Sequence, residues 1–376
     1  MRKDEKHGED PWHFPRPDLA RDYLTAFALK LSSARGLFAR RRMGKTEFLR
    51  CDLLPAAKSA GYLIAYTNLW DNRSAPDVAL IAALTDALEP QGIKAVLSKL
   101  GRPITNLRAS AKLPGGVHGM LEAELSQPGT DKADALREVL KQLDKQKKTL
   151  LLVIDEAQVL AHAVNSDFAH ALRAALDIRK DRIKVIFAGS SETTLREMFA
   201  RVSEPFYNWA PLEPFPLLGE AFVTFTVKLL NEMAKRPLTL QEGKDAFEAL
   251  HRTPEFFKRF IERYMMNQVL GAHAALTHTQ TSVFSDAHFL RQWNELLPAD
   301  QIVLAMLSRG ETDFYSKAGM IKLSVLLNKP ATRNTAGHAL RRLQDDNTVT
   351  RLSLGDYRIE DEAYAEWIRR RDAAKS

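Results

Sequence analysis

The sequence predicts an α/β fold built on a parallel β-sheet, and three apolar runs carry that expectation. Gly36-Leu37-Phe38 leads into a basic turn and a helix, Leu150–Ile154 ends in Asp155-Glu156, and Ile183–Ala188 ends in Gly189-Ser190-Ser191. The two longer runs do not alternate between apolar and polar, so they read as strands covered on both faces, as in sheets whose strands are joined by helices. Polar residues follow each run directly, and α/β sheets collect their chemistry at the carboxyl ends of the strands.

The first run opens the most informative stretch, Ala39-Arg40-Arg41-Arg42-Met43-Gly44-Lys45-Thr46-Glu47, after which Phe48, Leu49, Leu53 and Leu54 form the apolar side of a helix. Gly44-Lys45-Thr46 supplies the second half of the phosphate-loop pattern G-x-x-x-x-G-K-[ST]. In such a loop the backbone N–H groups and the helix N-terminus surround the phosphates. The lysine reaches the β and γ phosphates, and the Ser/Thr hydroxyl holds Mg²⁺. Residues Ala39 to Glu47 are therefore the candidate ATP-binding segment, with Lys45 also assisting the chemistry and Thr46 a ligand of Mg²⁺. Ala39 stands where the pattern has its first glycine, and alanine is penalised there if φ must be positive.

The second run predicts the acidic partner of this loop. Asp155 is expected to complete the Mg²⁺ shell, and Glu156 to polarise the attacking water. At the end of the third run, Ser190 is the first choice, and Ser191 the second, for a side chain that orients water or touches the γ-phosphate. The same serines also read as the N-cap of a helix beginning at Glu192.

Between Lys45 and Asp155 there is room for more than one strand–helix unit, and Gly61–Thr67 reads as a strand followed by a helix over Pro76–Leu88. A stretch with five basic residues and no acid follows at 91–116, within which a β-hairpin over about 103–126 is expected as an insertion. Its charge suits DNA or a partner, or equally a solvated insertion. Leu218–Ala234 and Leu240–Leu250 are amphipathic, and polar Thr277–Asp286 reads as a linker. The C-terminal part reads as a winged helix, with helices over Ala299–Leu307, Ile321–Leu327 and Asn334–Asp345 and a hairpin from Val349 to Ile359. Three units result: a core over 1–211, a helical lid over 212–285 and the winged helix over 286–376.

Composition narrows the class. Of 376 residues, 45% are hydrophobic and 27% charged, which excludes a mainly disordered or fibrous chain. The charged N-terminus does not read as a secretory signal and no apolar run is long enough to span a bilayer, so a cytoplasmic protein without a membrane partner is expected. Lone Cys51 excludes a disulfide framework within the chain, and its apolar neighbours predict a buried structural thiol. The ten histidines show no persuasive metal spacing. A net charge of +7 is compatible with nucleic acid without demonstrating it.

Taken together, the arginine-rich loop Arg40–Thr46, Asp155-Glu156-Ala157-Gln158 and Gly189-Ser190-Ser191 resemble the archaeal-type P-loop ATPases related to the STAND and AAA+ ATPases, over roughly residues 12–370. Phe14-Pro15-Arg16-Pro17 is similar to that family's lead-in near the adenine, which implies a nucleotide-binding role for Arg16. His251-Arg252-Thr253-Pro254 resembles the Gly-x-Pro turn of its lid, without the glycine, and implies that Pro254 lies near the adenine or ribose. Family members often carry an arginine after a Pro-aromatic pair, where this chain has Trp209; Arg196 and Arg201 are nearby, and surface salt-bridging suits both. Hydrolysis is accordingly expected to be slow or partner-dependent. The family also often ends in a winged helix, which supports that reading of 286–376.

The expected function is an ATP-binding, Mg²⁺-dependent ATPase that acts as a molecular switch. The alternative is a DNA-binding AAA+ regulator, of the transposition or replication-initiator kind, in which ATP drives assembly. Arg333, Asn334, Arg341 and Arg342 on the third helix of the winged helix would then face DNA, with His338 beside them. A protein partner or a homo-oligomer fits the same residues.

Overall fold

Strand β3 (Leu150–Asp155) is buried at every position, and its side chains divide between two cores. Leu150, Leu152 and Ile154 join one apolar cluster, while Leu151 and Val153 join another on the opposite face. Neighbouring β4 (Ile183–Gly189) divides the same way, with Val185 and Phe187 to one side and Ile186 and Ala188 to the other. Burial on both faces is what continuous apolar runs require, and it fixes a three-layer arrangement of helices, sheet and helices.

The computed structural model describes residues 10–71, 75–88, 132–283, 286–346, 348–353 and 356–373. The hairpin expected over 103–126 lies outside them. The sheet also holds β1 (Ala34–Phe38), β2 (Leu63–Asn68) and β5 (Leu212–Pro214), in the order β2-β3-β4-β1-β5, with every pairing parallel. Strand β4 therefore separates the loop-bearing strand β1 from the acidic strand β3, and its carboxyl end lies between theirs.

One face is covered by α1 (Pro17–Ala28), α2 (Lys45–Phe48), a π-turn (Leu49–Leu53) and α3 (Leu54–Ser59). The other is covered by α4 (Pro76–Asp86), α5 (Lys132–Asp144), α6 (Ser166–Asp177) and α7 (Glu192–Ala200). Cys51, expected to be buried, is exposed. It falls within the π-turn, where Leu49 and Leu53 are buried and the residues between them face outward or lie at the edge.

Helices α8 (Glu220–Met233), α9 (Leu240–Ala249), α10 (Pro254–Met266) and α11 (Gly271–Val283) follow β5. The polar linker expected over Thr277–Asp286 is helical as far as Val283. Thr277, Thr279 and Thr281 each donate to the carbonyl four residues back, at 3.0, 2.8 and 2.9 Å, so the hydroxyls are satisfied within the helix rather than competing with it.

The chain ends in α12 (Asp286–Glu295), α13 (Pro298–Ser308), α14 (Lys317–Leu327), α15 (Arg333–Asp345), an antiparallel pair β6 (Val349–Ser353) and β7 (Asp356–Ile359), and α16 (Glu362–Ala373). A single apolar cluster runs from Phe222 on α8 to Ile368 on α16, so the helices after β5 and the C-terminal elements share one core. Trp12 and Phe14 of the N-terminal segment pack against it.

Candidate functional site

The turn between β1 and α2 is set by two left-handed residues, Arg42 at φ 67° and Gly44 at φ 82°. Ala39 is not among the positive-φ residues, so the missing first glycine carries no conformational penalty there. Gly44 ends the loop at the start of α2, which places Lys45 and Thr46 in the first turn of that helix.

Both side chains meet Asp155. Lys45 Nζ lies 2.5 Å from Asp155 Oδ1, and Thr46 Oγ1 donates to Oδ2 at 2.6 Å. The Glu156 backbone N–H donates to Oδ1 at 3.0 Å and the Tyr66 hydroxyl reaches Oδ2 at 3.4 Å. Asp155 is fully buried, and a carboxylate in that position requires a cation and several donors. Burial, reinforced by the adjacent Asp155 charge, pushes the Tyr66 hydroxyl well above its ordinary pKa. Thr46 Oγ1 and Asp155 Oδ2 are hard oxygens side by side, the donor set that suits Mg²⁺, which takes few protein ligands and keeps several waters. Among the described residues, no cluster of three or more His, Cys, Asp or Glu side chains forms a metal cage.

Glu156 has φ 55°, a left-handed conformation that turns the chain sharply after the strand. Ser190 Oγ donates to Glu156 Oε2 at 2.7 Å. The strand order explains this meeting, since β4 delivers Ser190 directly beside the end of β3. Ser191 instead caps α7, accepting from the Thr194 backbone N–H at 3.4 Å, so the N-cap read for these serines is Ser191.

Residues Ala39 to Glu47, Glu156, Ser190 and Pro254 line one cavity of about 360 Å³. Two further residues of α10, Glu255 and Lys258, also line it; neither is among the site residues read from the sequence. Pro254 opens α10, and in the turn before it His251 and Arg252 take positive φ, at 56° and 51°. Within the loop, the Arg41 guanidinium stands 4.2 Å over the Trp70 ring.

Arg16 lies in an adjoining cleft that shares Gly44, Glu47, Pro254 and Lys258 with the cavity. Its guanidinium stands 4.8 Å over Phe215 and donates to the Pro216 carbonyl at 2.7 Å, while its backbone N–H donates to Asp52 at 2.9 Å. His13 bridges the same helix, with Nδ1 2.9 Å from Glu47 and Nε2 3.1 Å from Asp52. Burial acts to lower the His13 pKa, but the two carboxylates outweigh it and raise it.

Trp209 is buried against Phe187 and Phe206 and donates to Asp177 at 3.2 Å, away from the cavity lining. Arg196 on α7 and Arg201 just past its end pair with Glu192 and Glu197 of that helix. Far along the chain, Arg333, Asn334, His338 and Arg341 are exposed on α15. Arg342 on the same helix binds buried Asp300, with Nε 3.0 Å from Oδ2.

No family model and no curated protein matches the sequence. Among solved structures, the Walker-type ATPase PABY2304 of Pyrococcus abyssi is similar over 95% of this chain and 96% of its own, with a TM-score of 0.63 and 18% identity. The Aeropyrum pernix ORC2 protein in its ADP form is similar over 99% of this chain and 97% of its own, with a TM-score of 0.55 and 14% identity. At these identities the likeness is one of fold, and the fold is that of P-loop ATPases. No helix among the described residues is long and apolar enough to cross a membrane.

Proposed function

We propose that the protein is an ATP-binding, Mg²⁺-dependent ATPase of the archaeal-type, STAND-like class, working as a molecular switch. The observation that carries this reading is the joint between loop and acid: Lys45 and Thr46 both meet Asp155, beside a cavity bordered by Glu156 and Ser190. Backbone N–H groups of Arg42 to Thr46 would receive the phosphates, and Lys45 would exchange part of its attraction to Asp155 for the β and γ phosphates. Thr46 and Asp155 would hold Mg²⁺, which when bound neutralises charge developing on the phosphoryl oxygens. Glu156 would take a proton from water as its oxygen bonds to the γ-phosphorus and the bond to the bridging oxygen breaks, releasing ADP and phosphate. Ser190 would bind the γ-phosphate or the water. Arg16 and Pro254 would flank the base.

Cytoplasmic localisation accords with this reading, as do a core over 1–211, a lid over 212–285 and a winged helix over 286–376. The test is ATP affinity and turnover of wild type beside Lys45→Ala and Glu156→Gln. Loss of binding in the first and retained binding without turnover in the second are expected; turnover unchanged in both would reject the assignment.

A second reading, a DNA-binding AAA+ regulator, is favoured by one observation. Arg333, Asn334, His338 and Arg341 are exposed together on α15, which would be the third helix of a winged helix. It predicts steeply salt-dependent association with duplex DNA in the presence of ATP, weakened by Arg333→Ala with Arg341→Ala. Arg342 would contribute less, being engaged with Asp300.

A further inference from the structure

We infer that Gln158 positions Glu156 for water activation, and that residue 189 is glycine because the Gln158 amide and the Leu195 side chain occupy the space a side chain would need. The inference rests on the reading of Glu156 given above.

Gln158 sits in the 3₁₀ turn Ala157–Ala161 and is 2% exposed. Its Nε2 donates to Glu156 Oε2 at 2.5 Å and to Ser190 Oγ at 3.2 Å, while Ser190 Oγ donates to that same carboxylate oxygen at 2.7 Å. An amide nitrogen has two hydrogens, and both are used. One oxygen of Glu156 is thus held by two donors. The other, Oε1, accepts no hydrogen bond from a described residue, and Glu156 borders the cavity. A carboxylate anchored through one oxygen and open at the other is arranged to accept a proton from a water at a fixed position.

The amide oxygen gives the second observation. Gln158 Oε1 is buried without a hydrogen-bond partner among the described residues. Such an atom loses its hydration with nothing in return, so for packing alone an apolar side chain would serve better. Flipping the amide does not relieve it, because Oε1 would then face the Glu156 carboxylate, acceptor against acceptor. The stability lost at Oε1 is therefore tied to the bond Nε2 makes.

Gly189 supplies the third. A Cβ there would stand 2.5 Å from Gln158 Oε1 and 2.5 Å from Leu195 Cδ1. Those separations are far inside contact distance, so alanine at 189 would displace the amide or α7.

Gln158→Met keeps the volume and removes both amide groups. The expected result is a fall in kcat of about 10²-fold with ATP affinity unchanged and thermal stability equal or higher. In a Glu156→Gln background the same change is expected to do nothing further, and Gly189→Ala is expected to lower kcat in the same way. Unchanged turnover would overturn the inference, and so would a fall in kcat accompanied by a lowered Tm in Gln158→Met. A crystal structure of Gln158→Met gives a readout that needs no turnover: the Glu156 carboxylate is expected to leave its place, and finding it unmoved would also overturn the inference. Absence of ATP hydrolysis by the wild type would count against the ATPase reading, while the carboxylate's position would still decide whether Gln158 holds it.

Discussion

Arg42 and Asp361 lie 319 residues apart in the chain and 2.8 Å apart in space. Arg42 belongs to the loop between β1 and α2, and Asp361 to the connection between β7 and α16. The same guanidinium has its Nε 3.6 Å from Glu255 and stands 5.3 Å over the Phe256 ring, both on α10. One loop side chain therefore touches α10 and the C-terminal elements together. A change in loop conformation would be felt in both.

A double-mutant cycle of Arg42→Ala and Asp361→Ala measures this joint. The pair is part-buried, so a coupling of about 1 kcal/mol is expected from thermal unfolding, shrinking as salt is added. Arg42→Ala should cost more than Asp361→Ala, because it also removes the contacts to Glu255 and Phe256. A coupling of zero at low salt would show that the contact does not join the two parts.

Lys45→Ala should lower stability as well as abolish ATP binding. It leaves fully buried Asp155 without its cation, a change worth about 3 kcal/mol, softened by the remaining donors Thr46 and Tyr66. Adding Asp155→Asn should restore much of the lost stability and none of the binding. Chemical denaturation of the two variants separates these effects.

The His13 bridge predicts a pH dependence. Its pKa is raised above the ordinary 6.5, so the folded state favours the protonated ring. The stabilisation is complete below the ordinary value and is lost as pH rises through the raised one. The Tm gap between wild type and His13→Gln should accordingly shrink as pH rises above the ordinary value of 6.5. A gap that stays constant would mean that the ring acts only by packing.

Trp209→Arg should unfold the core rather than speed hydrolysis. The indole fills a buried aromatic cluster, and the Arg173 guanidinium stands 5.1 Å over its ring. An arginine in its place would bury a charge and meet a like charge, at several kcal/mol. Soluble yield and Tm report the outcome; a well-folded variant with faster turnover would contradict the placement of this residue.

Much of the sheet was legible because apolar runs buried on both faces leave an unbroken pattern, and the loop because Gly44-Lys45-Thr46 is rigid in its spacing. Pairing across sequence was not. Nothing near Arg42 announces Asp361, and nothing near Gln158 announces Ser190, because a hydrogen bond depends on strand order and turn geometry rather than on local composition. Ala39 shows the limit from the other side: the pattern marks its position as a glycine, but the positive φ values fall on Arg42 and Gly44. Thr277 to Thr281 mislead for a local reason, since threonine hydroxyls favour turns unless a helix offers them a carbonyl four residues back.

The π-turn Leu49–Leu53 acts as a phase shift. Glu47 and Asp52 are five residues apart, and in an uninterrupted α-helix that spacing would point them about 140° away from each other. The wider turn winds more slowly and brings both carboxylates to one side, where a single imidazole spans them and Asp52 also receives the Arg16 backbone N–H. The N-terminal segment is thus keyed to the winding of the helix. Rewinding these residues as a regular α-helix, with their number unchanged, would carry Asp52 about 140° around the axis from Glu47. Lys45 and Thr46 would keep their seats, and the strap carrying His13 and Arg16 would lose its anchorage.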